Sequence, residues 1–185
     1  MKRVVLTIAG VVDARGAQIG IQRISEARVR RSFSRILDDN VLCSMATVCP
    51  NGRAHINTAY FSFTRNFELY FLSHPDSTHC CNLAANSSMA MAVFSSKQSW
   101  AGPDRGLQLF GTCRQARGAQ LQRAATSYGE RFRKYAMWKS RLELDDPARE
   151  YRLYRFVPKH VKVFDEKAFG EAVVRIGIER RTSNK

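Results

Sequence analysis

A Pro-Asn-Gly tripeptide at residues 50–52 constrains the fold of this chain more than any other short stretch. Asn-Gly readily takes the positive φ angles that a tight turn needs, so the segments on its two sides are expected to pair as antiparallel strands. The residues from Val41 to Cys49 alternate like a strand, and a return strand is expected from about Arg53 to Phe63. The sequence therefore predicts a β-hairpin within an antiparallel sheet.

The other predicted elements follow in an order that is not a βαβ repeat. A helix is expected before the hairpin, from Ser25 to about Asp39, because apolar residues recur there at helical spacing. Further strands are predicted at residues 67–73, 89–94, 107–114, 151–157 and 160–165, and Pro158 is expected to separate the last two. Further helices are predicted at residues 77–85 and 119–138, the second with a break near Gly129. The sequence predicts an α+β fold, most simply a small antiparallel β-barrel of about six to seven strands with peripheral helices.

Positive charge is concentrated at the two ends of the chain. The net charge of +14 divides into +6 for residues 1–36 (eight basic, two acidic), +1 for residues 37–120 (six and five) and +7 for residues 121–185 (sixteen and nine). Basic flanks could attract anionic ligands or nucleic acid, but a solvated basic surface is the preferred interpretation, because the chain has no recognisable nucleic-acid module. A nucleic-acid partner is therefore not expected.

The terminal segments are expected to lie outside the folded domain. Residues 1–24 are interpreted as an N-terminal extension, flexible or loosely packed, and residues 167–185 as a basic C-terminal appendage. Residues 1–12 imitate a signal peptide, but charged residues follow at once and 14–17 is a poor cleavage site. No run is long enough to span a membrane. Five cysteines without regular spacing indicate reduced thiols and a cytoplasmic protein.

The segment from Phe71 to Leu83 carries the main chemical signal. It is interpreted as a strand end, a turn and the first turn of a helix bearing Ser77, Thr78 and His79. A helix N-terminus offers free N–H groups and a partial positive charge, so these side chains could form a phosphate site. The alternatives are an ordinary N-cap at Ser77 and a merely exposed His79. No metal site is predicted, because the histidine and cysteine spacing here fits no standard zinc pattern.

The order of these elements resembles the pyridoxamine 5'-phosphate oxidase-like FMN-binding split barrels, from about residue 32 to residue 165, and closest to an uncharacterised bacterial branch. The motifs that carry the resemblance are Pro50-Asn51-Gly52, the return strand His55–Phe63, Phe71-Leu-Ser73, Ser77-Thr-His79 and the strand Arg105–Gly111. The resemblance implies that residues 25–166 form an FMN-binding split-barrel domain. It also implies a homodimer with one FMN at each end of the subunit interface, acting as a flavin-dependent oxidoreductase on an unknown small-molecule substrate.

The resemblance also implies which residues bind the cofactor. Ser77, Thr78 and His79 would hold the phosphate, and Ser73 would lie near the ribityl chain. Gln108 would reach the ring or its chain, and Trp100 would lie either over the ring or at the dimer interface. Backbone groups of the return strand would lie along the flavin ring, at Asn57, Thr58, Ala59 and Tyr60.

The sequence departs from the family pattern at the cationic positions. The family has an Arg-Lys pair where this chain has Thr78-His79, and Arg and Lys where it has Asn57 and Ser62. A neutral imidazole is a weaker phosphate partner than Lys or Arg, so FMN is expected to bind less tightly unless Arg53 or Arg105 compensates. The alternative is a non-enzymatic binding protein or sensor for flavin, deazaflavin or haem on the same scaffold. His55, on the return strand, is expected to be structural.

Overall fold

The computed structural model describes residues 2–13, 15–19 and 24–182. Within these residues the chain forms eight strands, five α-helices and one short 3-10 helix at Pro147–Glu150. The strands are β1 (Lys2–Val12), β2 (Leu42–Val48), β3 (Ala54–Phe63), β4 (Leu69–Ser73), β5 (Ser88–Phe94), β6 (Arg105–Gln115), β7 (Arg152–Asp165) and β8 (Val173–Thr182). The helices are α1 (Glu26–Asp39), α2 (Thr78–Ala85), α3 (Ala119–Arg131), α4 (Tyr135–Ser140) and α5 (Glu166–Phe169). No described helix combines the length and apolar character that a membrane crossing requires.

The strands form one sheet in the order β1-β8-β7-β4-β3-β2-β5-β6. Strand β7 also pairs with β6, which closes an antiparallel barrel of six strands and leaves β1 and β8 as two extra strands. The predicted α+β split barrel is therefore confirmed. The hairpin at residues 50–52 is present: Gly52 takes a φ of 80°, and its N–H donates to the Cys49 carbonyl at 2.8 Å.

The chain divides into two compact units. The first contains residues 1–43, 90–110 and 158–185, and the second contains residues 44–89 and 111–157. In the first unit, α1 buries one apolar face while its arginines lie on the other sides, as its spacing predicts. In the second unit, a cluster of buried side chains supports α3, formed by Tyr70, Ala116, Ala124, Tyr128 and Leu153.

The two ends of the chain differ from the sequence-based expectation. Residues 2–12, expected to be a flexible extension, form β1, which pairs antiparallel with β8 from Lys2 opposite Thr182 to Val12 opposite Val173. Residues 173–182, expected to be an appendage, form β8, which also pairs with β7. The reason is burial: four of the apolar side chains that resembled a leader are buried in the fold, at Val4, Leu6, Val11 and Val12. The domain boundaries after residues 24 and 166 stay a prediction.

Pro158 does not end a strand, contrary to the prediction of two strands at 151–157 and 160–165. Strand β7 continues through it, because the proline lies between the ladder with β4 and the ladder with β8. Up to Phe156 the strand pairs with β4, and from His160 it pairs with β8. The Pro158 carbonyl still accepts a hydrogen bond from the Arg180 guanidinium at 2.9 Å.

Helix α3 runs through Gly129, so the break predicted near this residue lies later, at residues 132–134. A glycine within a helix costs only about 1 kcal/mol, and tertiary packing can offset that. The Tyr128 ring provides this packing: its centroid lies 4.7 Å from the ring centroid of Phe132 and 5.0 Å from that of Tyr135.

Replacing Gly129 with alanine is expected to raise the free energy of unfolding by about 0.5–1 kcal/mol, because a methyl group removes backbone freedom from the unfolded chain. A Cβ at this position would have no neighbour within 4 Å, and its φ is not positive. Urea unfolding measures the change. Gly52→Ala is the matched control, since its site is equally open but has a φ of 80°, and there alanine should destabilise the protein. A loss of stability in Gly129→Ala would contradict the prediction.

Candidate functional site

Helix α2 begins beside the end of β4, and three polar side chains meet there. The Nε2 atom of His79 lies 2.7 Å from Ser73 Oγ and 3.2 Å from Ser77 Oγ, and the two hydroxyl oxygens are 3.2 Å apart. A turn through His74 and Pro75 returns the chain so that the strand end and the helix start face each other. The structure therefore brings together three residues that the sequence predicts for the site.

Ser77 occupies the N-cap position of α2 but does not cap the helix. Its hydroxyl donates to the His74 carbonyl at 2.8 Å and accepts no hydrogen bond from the first turn. In the described part of the chain, the backbone N–H groups of Thr78, His79 and Cys80 have no acceptor. The ordinary N-cap interpretation of Ser77 is therefore wrong, and three donors remain free at the positive end of the helix.

A second histidine lies beside the first. The rings of His55, on β3, and His79 are nearly parallel, with centroids 6.3 Å apart and an angle of 12° between their planes. Burial, and to a smaller extent the neighbouring His55, lowers the pKa of His79 below its usual 6.5. His79 is therefore neutral near pH 7 and supplies a hydrogen-bonding group rather than a positive charge to this site.

The predicted residues of β3 divide between the two faces of the strand. Asn57 and Ala59 are half-buried on the same face as His55, whereas the side chains of Thr58 and Tyr60 are exposed on the other. The Oδ1 atom of Asn57 is buried without a hydrogen-bond partner in the described structure. An unpaired buried acceptor of this kind needs an explanation, and a ligand N–H is one. The role predicted for the β3 backbone stays a prediction.

The remaining predicted residues belong to the first unit. Trp100 lies in the loop before β6 and is fully exposed. Arg105 has its guanidinium 3.5 Å from the Asp39 carboxylate, so its charge is partly neutralised within its own unit. Gln108 is exposed on β6, on the face opposite to Leu107 and Leu109, as the alternation predicts. Their predicted roles in cofactor binding stay predictions.

Sequence reasoning missed two residues of this site. His55 was expected to be structural, although its strand parity with Asn57 places both on one face. Asn82 follows His79 by three residues and so shares its side of the helix. The Asn82 side chain is buried, and its Nδ2 donates to Thr47 Oγ1 at 3.0 Å, which fixes α2 against β2.

A group of potential metal ligands lies near the site. Ligand atoms of His74, Asp76 and Glu150 lie within 4.8 Å of one another. The two carboxylates are on exposed residues, and exposed acidic groups next to a histidine are common without an ion. We assign these contacts to surface ion pairing, with His74 Nε2 3.3 Å from Glu150 Oε2.

The lowered pKa of His79 predicts that stability falls as the pH is lowered through about 6.5. Below that value the unfolded imidazole takes up a proton while the folded one resists it, so the unfolded state is favoured; the loss is complete once the pH is below the folded pKa. Thermal midpoints between pH 8 and pH 5 measure this. The fall should be smaller in His79→Gln, and identical slopes for the two proteins would contradict the assignment.

Comparison with known proteins supports the fold and the family. The family model for pyridoxamine 5'-phosphate oxidase matches residues 30–165. No match was found among curated proteins. Among solved structures, the chain is similar to HutZ, the haem storage protein of Vibrio cholerae, at 17% identity and a TM-score of 0.59, covering 72% of this chain and 93% of HutZ.

Two further structures are similar over most of this chain. A haem-binding protein of Mycobacterium smegmatis has 16% identity and a TM-score of 0.61, over 86% of this chain, which spans 60% of the length of that protein. A pyridoxine-phosphate oxidase family protein of Clostridium acetobutylicum has 14% identity and a TM-score of 0.56, over 76% of this chain and 91% of that one. At these identities the likeness shows the fold alone. The family match covers most of the chain, and the chain belongs to the pyridoxamine 5'-phosphate oxidase family of split-barrel proteins.

Proposed function

We propose that this chain binds FMN at the N-terminus of α2 and acts as a flavin-dependent oxidoreductase on a small molecule. The observation that carries the proposal is the set of free donors at this helix end. The N–H groups of Thr78, His79 and Cys80 have no acceptor in the described structure, and Ser73, Ser77 and His79 lie beside them. Free amides at a helix N-terminus favour a phosphate group.

The hydrogen-bond donors at this helix end suit a phosphate group, although they include no strong cation. Three amides and the exposed Thr78 hydroxyl can each donate a hydrogen bond, while the neutral His79 adds polarity but no charge. The unpaired Oδ1 of Asn57 suits a ring N–H of a flavin. A bound flavin would supply hydride or electron transfer. The residues of this chain would bind the phosphate, orient the ring and exclude water from it.

We further propose that the chain forms a homodimer, as the family resemblance implies. Its strands carry exposed large apolar side chains: Val48, Ile56 and Tyr60 in the second unit, and Leu42, Phe94 and Phe110 in the first. Ile56 is 71% exposed and Tyr60 is 56% exposed, and apolar groups at this exposure are typical of interaction surfaces when they cluster. Light scattering coupled to gel filtration tests this, and a mass of one chain would contradict it.

The cytoplasmic location stays a proposal that rests on the free thiols of five cysteines.

Parallel titrations with FMN and riboflavin test the proposed function. Riboflavin carries the same ring and ribityl chain without the phosphate, so the difference between the two measures the helix-end site. We expect FMN fluorescence to be quenched saturably, with an affinity at least tenfold above that of riboflavin, because charge-assisted hydrogen bonds contribute about 1.5–3 kcal/mol each. Equal affinities, or no quenching by either flavin, would overturn the proposal.

Haem is the second candidate ligand, and the pair of stacked histidines favours it. A neutral imidazole is the form that ligates iron, and His79 is held neutral. HutZ is a haem storage protein and the Mycobacterium smegmatis protein binds haem. Titration with haemin should then give a shifted Soret band that is lost in His79→Ala or His55→Ala. If both variants retain the shifted band, these histidines are not the iron ligands.

A further inference from the structure

A cavity lies on the other side of α2 from the site described above. His79 and Asn82 face β3 and β2, whereas Cys80, Cys81 and Ala84 line a cavity of about 520 Å³ against the ends of β6 and β7. Its volume lies in the range of small-molecule sites, roughly 300–1,000 Å³. All of its lining residues belong to the second unit, and the one residue it shares with the proposed FMN site is Cys80, which gives its backbone N–H to that site and its side chain to the cavity.

The cavity exists because small side chains face a large, fixed one. The Tyr154 ring is 5% exposed and stacks on Phe71, with centroids 5.4 Å apart and planes 11° from parallel. Burial, and then a hydrogen bond with Cys80, raises the pKa of Tyr154, so its hydroxyl stays protonated. Opposite it, α2 presents Cys80, Cys81, Leu83 and Ala84, mostly small side chains that leave the space between helix and strands unfilled.

The lining of the cavity carries positive charge without a counter-charge. Arg114, at the end of β6, and Arg117, in the turn before α3, both line it together with the amide of Gln115. No aspartate or glutamate lines the cavity, and in the described chain neither guanidinium has a carboxylate within 4 Å. Elsewhere in this unit an arginine such as Arg155 is paired with an acid, so the two cavity arginines differ from it.

We propose that this cavity is a second ligand site, which takes a small organic anion with an apolar body. The two guanidinium groups and the Gln115 amide would bind its carboxylate, sulfonate or phosphate group. The apolar body would lie against Leu83, Ala84 and the Tyr154 ring. Arginine is suited to this recognition because its planar fork matches the oxygen atoms of such groups. The site is independent of whether the N-terminus of α2 binds FMN.

Cys81 gives a local reporter of occupancy. Its side chain is exposed at the rim of the cavity, whereas Cys80 is 3% exposed. We would titrate the full chain with 8-anilinonaphthalene-1-sulfonate, an apolar anion, and follow alkylation of Cys81 by iodoacetamide using fragment-ion mass spectrometry. Saturating probe should slow alkylation at Cys81 about fivefold or more. The neutral analogue N-phenyl-1-naphthylamine should slow it less than about twofold, because charged partners strengthen the hydrogen bonds of a site.

Paired variants complete the test. Arg114→Gln with Arg117→Gln should raise the dissociation constant of the anionic probe about tenfold or more, the loss expected when charged donors are removed. Arg133→Gln, at an exposed arginine of the same unit outside the cavity, should leave it within about twofold. Equal protection of Cys81 by the neutral analogue would overturn the proposal, because it indicates an apolar surface only. The proposal would also be overturned if the dissociation constant of the anionic probe rose equally in both sets of variants, or if the probe did not slow alkylation of Cys81.

Discussion

Replacing Arg155 with methionine is expected to lower the free energy of unfolding at pH 7 by about 3–5 kcal/mol, the usual result of removing one partner from a buried ion pair. Arg155, on β7, forms a forked contact with the Glu68 carboxylate: Nε lies 3.0 Å from Oε2 and Nη2 lies 2.5 Å from Oε1. Glu68 is only 6% exposed, so the substitution takes two charged hydrogen bonds away from a buried carboxylate.

Tyr70 ties this ion pair to the core. Its hydroxyl donates to Glu68 Oε2 at 2.8 Å, and burial, followed by this hydrogen bond, raises the pKa of Tyr70 to about 12. The hydrogen bond with Glu68 likewise raises the pKa of Arg155, so both residues stay protonated at neutral pH. After the substitution the tyrosine remains as a neutral donor to the carboxylate, which cannot replace a guanidinium that makes two charged hydrogen bonds.

A double-mutant cycle separates the loss of the pair from the loss of packing. Glu68→Gln with Arg155→Met removes both charges and keeps an amide oxygen that can accept from Tyr70. We expect this double variant to be more stable than Arg155→Met alone, by about 1–3 kcal/mol in urea unfolding, because the buried group that has lost its guanidinium is then a neutral amide and no longer a carboxylate. If the double variant is as unstable as the sum of the two single variants, the residues act independently and the ion-pair argument is wrong.

Short-range signals in the sequence predicted most of the barrel, because each depends on residues close along the chain. The hairpin at residues 50–52 needed only its own tripeptide, and the positive φ lies at Gly52, where a glycine is favoured. The next turn shows the limit of this reasoning. Asn66 is the residue type that takes a left-handed conformation there, yet Phe67 has the φ of 54°. The Phe67 side chain is 2% exposed, so burial of the ring decides the turn.

Long-range pairing could not be predicted in the same way. Strands β1 and β8 lie at opposite ends of the chain, and each by itself looks like a terminal segment with an apolar or basic bias. Their partnership requires an antiparallel register that no local motif encodes. The candidate site shows the same difference between short-range signals, which could be predicted, and long-range contacts, which could not. Ser77 and His79 were predictable from a helix start, whereas His55 lies beside them only because β3 and α2 meet in the folded unit.

Replacing Thr78 with arginine and His79 with lysine restores the family's cations and is expected to lower the dissociation constant for FMN about 100-fold. Hydrogen bonds to charged groups contribute about 1.5–3 kcal/mol each, so one new cation gives at least roughly tenfold. Both positions lie in the first turn of α2, beside the free amides of the proposed phosphate site. His79 cannot supply this charge in the natural chain, because its lowered pKa keeps it neutral where the phosphate is a dianion.

The specificity of this gain is what tests the phosphate site. Riboflavin affinity should stay within about twofold, because the ring and ribityl contacts are unchanged and only a phosphate responds to the new charges. Gln122→Arg with Thr126→Lys places the same pair on two exposed residues of α3, outside both proposed sites, and it should change neither affinity. A gain for riboflavin equal to that for FMN would show that the variants improve binding of the ring or the fold in general. No gain for FMN would place its phosphate away from α2, and the binding-protein alternative would then be the better description of this chain.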